Sequence, residues 1–190
     1  MIASNGNIAS AGSATTEPKA ADAEEIKFTT GRSELGTVLV ARSAAGVCAI
    51  LIGDEIEALR RDLADEFTNA KLLRDDSALR TDLDKVLIFI KTPSGGLDLP
   101  LDIRGTPFQR RVWDALLAVR VGYKITYAAL ASRIGEPGAA RAVASACAAN
   151  AIALAIPCHR VVASDGTLAG YRWGMERKRA LLKKEAEAVA

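Results

Sequence analysis

The sequence predicts a two-part α/β (α+β) protein, a small β-sheet with helices followed by a mainly helical half. Three observations carry this. Strand-like apolar runs open the stretch 25–100, and residues 106–149 hold three helical segments, the last two joined by a Gly/Pro turn. Charge divides at the same place: residues 1–103 carry 11 Lys+Arg and 17 Asp+Glu, net −6, whereas residues 104–190 carry 14 and 6, net +8. At 190 residues, with 49% apolar and 25% charged content, the chain can bury a core and fits a soluble globular protein.

Each element follows from local pattern. Residues 1–24 lack periodicity and are low in hydrophobicity beyond alanine, and read as a disordered tail or a remnant linker. Thr37–Ser43, a Gly46 turn and Val47–Ile52 read as a β-hairpin, which makes Cys48 a core residue. Ile56, Leu59, Leu63 and Phe67 place a helix over about 55–66, and Leu79, Leu83, Val86, Leu87 and Ile90 place a second over about 77–91. Leu97–Leu101 reads as an edge strand interrupted by Pro100. The boundary between an N-terminal part (25–103) and a C-terminal part (104–190) falls at Asp102-Ile103-Arg104-Gly105. Thr106, Pro107 and Gln109 have the chemistry of N-cap, first helical position and capping box, starting a helix that runs to about 118. Thr126–Ile134 and Ala139–Ala149, joined by Gly135-Glu136-Pro137-Gly138, form a candidate helix-turn-helix. The apolar run 151–157 reads as a strand that delivers Cys158, and Trp173–Ala188 reads as a terminal helix.

Composition removes several function classes. Three scattered cysteines without CxxC argue against a disulfide framework and for a reducing, cytoplasmic compartment. One histidine and three scattered cysteines do not assemble a four-ligand zinc site unless carboxylates are called on, and no metal or other cofactor is expected. No apolar stretch reaches transmembrane length, and the N-terminus lacks the pattern of a secretion signal. The basic half is where a polyanion would bind; the alternative is that the two halves neutralise each other across an interface.

The chemistry centres on Pro157-Cys158-His159-Arg160, where the only histidine adjoins a cysteine. A thiolate forms near neutral pH only with a base or a positive field beside it, and an imidazole is a common base. The plain alternative is a buried structural cysteine beside a capping or core histidine. The helix Ala139–Ala149 carries one long side chain, Arg141, on a nearly bare surface of Ala139, Ala140 and Ala142. Such a surface suits close approach in a minor groove and is poor at reading base edges; its alternative is a buried alanine-rich packing helix.

Taken with Asp102–Thr106, Arg141–Asn150, Pro157–Val162 and Gly166–Gly174, these residues resemble the O6-alkylguanine-DNA alkyltransferases over about residues 28–187, nearest the alkyltransferase part of the bacterial adaptive-response proteins. The resemblance implies a ribonuclease-H-like N-terminal domain and a winged-helix-like C-terminal domain. It implies direct reversal of O6-alkylguanine, and of O4-alkylthymine as a second substrate, in duplex DNA bound through the minor groove by a monomer. The alkyl group passes irreversibly to Cys158 after the nucleotide is flipped out, once per molecule. By the same resemblance His159 is the base, Glu185 the carboxylate that polarises it, and Asn150 the hinge beside the acceptor. Tyr127 presses on the phosphate, Arg141 fills the vacated stack, and Tyr171 with the backbone at Val161 and Arg172 forms the base pocket. Side chains at i and i+1 of a strand point to opposite faces, so Cys158 and His159 need a turn or a bridging water to communicate.

Departures from the family matter too. The N-terminal zinc ligands of some members are missing, Ala153 stands where some relatives have proline, and the cysteine-rich and activator domains have no counterpart here, so a transcriptional role is not expected. Two rival readings stand beside this one: a cysteine hydrolase built on Cys158, His159 and Asn150, and a lesion sensor that leaves Cys158 idle. Cys147 reads as packing, Arg160 as half of an internal ion pair, and Arg177-Lys178-Arg179 with Lys183-Lys184 as a solvated helix face that attracts DNA at long range.

Overall fold

The structure is a computed structural model that describes residues 23–93 and 96–190. The tail expected over 1–24 therefore lies outside the described residues except for its end. There Glu24 is held firmly: its carboxylate takes two bonds from Arg104 at 2.6 and 2.7 Å, and its carbonyl accepts Lys71 N–H at 2.7 Å.

Four strands, β1 (Glu25–Ser33), β2 (Gly36–Arg42), β3 (Val47–Gly53) and β4 (Lys71–Arg74), form one sheet in the order β3-β2-β1-β4. The expected hairpin is β2–β3, antiparallel with Val40 opposite Ile50, and Cys48 lies in its core. Two strands were not anticipated, β1 and β4, which pair in parallel. Helices α1 (Ile56–Glu66) and α2 (Arg80–Lys91) cover the sheet through Leu59 and Leu63 and through Leu83, Val86 and Ile90. Helix α2 begins three residues later than expected because the Asp75 carboxylate captures the Ser77 hydroxyl and the Ala78 N–H in a turn.

Beyond residue 103 come α3 (Pro107–Leu117), the short strand β5 (Ile125–Thr126), α4 (Tyr127–Arg133), α5 (Ala140–Ala148), β6 (Val161–Val162) and α6 (Met175–Ala188). The capping box forms as expected: Gln109 N–H donates to Thr106 Oγ1 and Thr106 N–H to Gln109 Oε1. Helices α3, α4 and α5 pack on one another, and Trp113 Nε1–H donates to the Ala146 carbonyl at 2.9 Å. Helix α6 starts after Gly174, whose φ of +98° is a conformation that favours glycine.

Two strand expectations are corrected. Leu97–Leu101 makes a single bridge, Val47 to Leu101, rather than a strand, since Pro100 has no N–H to donate. The run 151–157 is a compact series of turns, not a strand. Leu154 sits at φ +68°, and Ile156 N–H bonds back to Ile152. This segment docks on the open edge of β3: Ile50 N–H donates to Ala151 and Ala153 N–H to Ile50, at 2.9 and 3.0 Å. The first half thus buries its exposed sheet edge under the segment that leads to Cys158.

Candidate active site

Asn150 organises the turn before Cys158. Its Oδ1 accepts Ile152 N–H at 2.8 Å, and its Nδ2 donates to the Ile156 carbonyl at 3.0 Å and to Cys158 Sγ at 3.3 Å. One wholly buried amide therefore sets the backbone and touches the sulfur. Cys158, His159 and Arg160 form a single 3-10 turn, all buried. A turn in place of a strand means that Cys158 and His159 need not point to opposite faces.

His159 and Arg160 converge on Glu185, which α6 brings in fully buried. His159 Nε2 lies 2.8 Å from Glu185 Oε1, Arg160 Nη2 donates to the same oxygen at 2.8 Å, and Arg160 Nε donates to Oε2 at 3.0 Å. Gly122 N–H also points at Oε2, at 3.3 Å, and Arg160 Nη1 donates to the Val119 carbonyl. Arg160 is thus the internal ion pair that the sequence suggested. A carboxylate can only accept, so Nε2 carries the imidazole proton and Nδ1 is the basic nitrogen; Nδ1 is buried and bonded to no described group.

Charge states follow from these contacts. Burial pushes the Cys158 thiol up to about 11, against the Asn150 hydrogen bond and the positive charge of Lys178. Burial also lowers His159 below its ordinary 6.5, against the pull of Glu185. Burial raises Glu185, but the bonds from His159 and Arg160 outweigh it and hold the carboxyl at about 2. Both latter groups hold fewer protons in the folded chain than in the unfolded one. Their stabilisation is complete above pH 6.5 and falls as pH drops, first through His159 and then, below 4.5, through Glu185 down to about 2. The melting temperature is expected to fall between pH 7 and pH 5, and a calorimetric series should show that fall flattened in His159→Gln.

A cavity of about 290 Å³ opens onto Cys158, lined by Tyr127, Ala144, Cys147, Gly170, Tyr171 and Arg172 among others. Tyr171 meets His159 edge-on, with ring centroids 6.4 Å apart, and its buried hydroxyl has no partner among the described residues. Burial holds that phenol well above 10, so it remains a donor. The Tyr127 hydroxyl donates to the Ala169 carbonyl at 3.0 Å. Arg172 spans from the cavity to the first half of the chain, donating to Glu66 at 3.1 Å and to the Asn150 carbonyl at 3.4 Å. A separate, larger cavity of about 440 Å³ is lined by Asn150 and, as its one thiol, by Cys48, which burial pushes up to about 12; no imidazole lines it.

Most of the anticipated residues meet here: Cys158, His159, Glu185, Asn150, Tyr127, Tyr171 and Arg172. Val161 does not line the cavity; it is wholly buried and its carbonyl accepts from Lys178. Arg141 and Ala142 are exposed on α5, with Ala139 and Ala140 partly buried beside them. Lys178 corrects the expectation of a solvated face. It is 0% exposed, and its Nζ donates to the carbonyls of Val161 and Ala169 at 2.6 Å and of Gly170 at 3.1 Å. The signal was its spacing, since Lys178, Leu181 and Glu185 recur at three and four residues on one helix face. Cys147, expected to be packing, lines the same cavity as Cys158.

Comparison with known proteins agrees with this geometry. Residues 107–187 match the family model described as 6-O-methylguanine DNA methyltransferase, DNA binding domain. The chain is 48% identical over 162 residues to the bifunctional transcriptional activator/DNA repair enzyme Ada of Escherichia coli, covering 85% of this chain and 46% of that protein. It is 36% identical over 163 residues to the methylated-DNA–protein-cysteine methyltransferase of Kluyveromyces lactis, covering 77% of this chain and 84% of that one. The crystal structure of Mycobacterium tuberculosis OGT in complex with DNA superposes with a TM-score of 0.74 at 33% identity, covering 86% of this chain and 94% of that chain. The chain spans about half the length of the Ada proteins it matches. With these identities over most of the Kluyveromyces and Mycobacterium chains, and with a cysteine, imidazole and carboxylate joined in one buried cluster, the chain belongs to the methylated-DNA–protein-cysteine methyltransferase family.

Proposed function

We propose that this protein repairs DNA by direct reversal, moving the alkyl group of O6-alkylguanine in duplex DNA onto Cys158. The observation that carries the reading is that Cys158, held by Asn150, lines a cavity of about 290 Å³ and is followed directly by His159 bonded to Glu185.

A methyl on O6 of guanine faces the inside of the duplex, so the nucleotide must leave the stack before sulfur can reach it. Helix α5 offers the surface for that step: Ala139, Ala140 and Ala142 allow close approach in the minor groove, and Arg141 is the one long side chain able to enter the stack. Tyr127, which lines the cavity, presses on the adjacent phosphate. Inside, the Tyr171 hydroxyl donates to the ring nitrogen of the extruded base and steadies the charge that develops on it. Arg172 at the pocket wall is tied to the first half of the chain by its bond to Glu66.

The thiol proton leaves through a bridging water to His159 Nδ1, with Glu185 holding Nε2 protonated. Sulfur attacks the methyl carbon as the carbon–oxygen bond breaks, and the bonding electrons pass to O6, restoring guanine once it takes a proton. The product is a thioether, and no group in the cavity can cleave it, so each molecule acts once. The substrate is double-stranded DNA bound by a monomer; no metal or other cofactor takes part, and the expected compartment is the cytoplasm. No helix among the described residues is long and apolar enough to cross a membrane.

The test is intact-protein mass spectrometry after mixing with a duplex that holds one O6-methylguanine. One methyl should appear on Cys158, at one per molecule however much DNA is added, and none in Cys158→Ala. A bound but unmodified native chain would favour a lesion sensor; no binding and no methyl would defeat the reading.

A further inference from the structure

Residues 104–190 hold fourteen basic and six acidic residues, and most of the basic side chains are already engaged with carboxylates or carbonyls. Four have no hydrogen-bond or ion-pair partner among the described residues: Arg120, Lys124, Arg133 and Arg141. Arg141 belongs to α5. The other three line a single open concavity of about 320 Å³, and no carboxylate lines it. They come from separate places in the fold: Arg120 follows α3, Lys124 precedes β5, and Arg133 ends α4. The unpaired positive charge of the basic half is therefore gathered at one place besides the recognition helix.

Tyr123 joins the same concavity and is 65% exposed, an aromatic ring with no packing role that requires such exposure. Several cations around a groove with a free aromatic face suit a nucleic-acid strand, with phosphates on the cations and a base or sugar against the ring. A phosphorylated protein would use the cations and leave the ring unexplained. Position in the fold agrees. Arg133 closes the first helix of the helix-turn-helix, the helix that in such units crosses the DNA backbone.

We infer that Arg120, Lys124 and Arg133, with Tyr123, form a second nucleic-acid contact that holds a phosphodiester strand outside the stretch covered by α5. This rests on the proposed action on DNA. The strand is either the flank of the same duplex or a second duplex segment; the chemistry is shared and the experiment separates them.

The test uses the full chain and the variant Arg120→Gln/Lys124→Gln/Arg133→Gln, whose three positions are exposed and unpaired. Affinity for unmodified DNA is measured across a salt series on a hairpin-closed duplex of about 10 base pairs, one helical turn, and on one three times as long. Each phosphate neutralised adds about 0.9 to the slope of log affinity against log salt, so loss of three contacts should make it shallower by about 2 to 3. For a flank of the same duplex, the change appears on the long DNA and not on the short. For a second segment, the native chain bridges two differently labelled short duplexes in an energy-transfer assay and the variant does not. Equal slopes on both lengths and no bridging by either chain would overturn the inference. Methyl transfer on the short duplex keeps the two readings apart. Transfer with unchanged slopes defeats only this contact, whereas absence of transfer in the native chain defeats the reaction and leaves the slopes to speak for themselves.

Discussion

Glu185→Ala is expected to lower the unfolding free energy by about 3–5 kcal/mol, the usual result of removing one partner of a buried ion pair. The loss is large because the carboxylate serves three neighbours at once: His159, Arg160 and the Gly122 N–H. Without it the Arg160 guanidinium stays buried, at 5% exposure, and among the described residues only the Val119 carbonyl accepts from it. Domains of this kind are stable by about 5–15 kcal/mol, so the variant stands near the limit of folding at room temperature. Urea denaturation measures this directly. Glu185→Gln keeps the shape and is the informative variant for chemistry. Its amide can donate to Nε2 where the carboxylate could only accept, and that would move the ring proton to Nδ1 and remove the base. Single-turnover transfer from O6-methylguanine should then slow by about 10²–10⁴-fold, the usual contribution of a positioned acid or base. A folded Glu185→Gln chain that transfers at the native rate would reduce Glu185 to a structural anchor for Arg160.

The helices were legible because each turns one apolar face inward, and the capping residues Thr106 and Gln109 mark a helix start by side-chain chemistry alone. Cys158 and His159 were legible because they adjoin at 157–160, whereas Glu185, Asn150, Tyr127 and Tyr171 entered through the family resemblance. What failed has a common physical cause. Burial makes a segment apolar whatever its backbone angles, so 151–157 read as a strand although Asn150 folds it into turns. In β4, Leu72 and Leu73 are only partly buried and pair in parallel with a strand 46 residues earlier in register, Ile26 with Leu72 being one partner pair; nothing local announces such a pairing. Lys178 was hidden by its own charge. In a run of basic residues a lysine reads as solvated, and only its helical register with Leu181 and Glu185 shows that it faces inward.

That lysine carries the second large effect. Lys178→Met keeps length and apolar stem but takes away the ammonium. Ala169 still accepts from Tyr127, and Gly170 is exposed to water, so the Val161 carbonyl is the one left without its lysine donor in a buried place. The stability cost is therefore about 1–3 kcal/mol, that of one unsatisfied buried carbonyl, offset in part by no longer burying a charge. The effect on transfer should be larger than this cost suggests. Lys178 pins the strand after Cys158 to the segment 169–170 that leads into Tyr171, and its charge favours the thiolate of a sulfur that burial otherwise keeps protonated. The two roles separate by pH. If the charge matters, the rate of transfer in Lys178→Met falls most near neutrality and recovers toward alkaline pH, tenfold for each unit by which the thiol has risen. If pinning alone matters, the rate falls by one factor at every pH. Lys178→Arg discriminates further: it restores the charge, but its planar fork cannot direct three bonds from one atom to the carbonyls of Val161, Ala169 and Gly170. An arginine variant that regains the neutral-pH rate would assign the lysine to electrostatics, and one as slow as methionine with a flat pH profile would assign it to the geometry of the pocket.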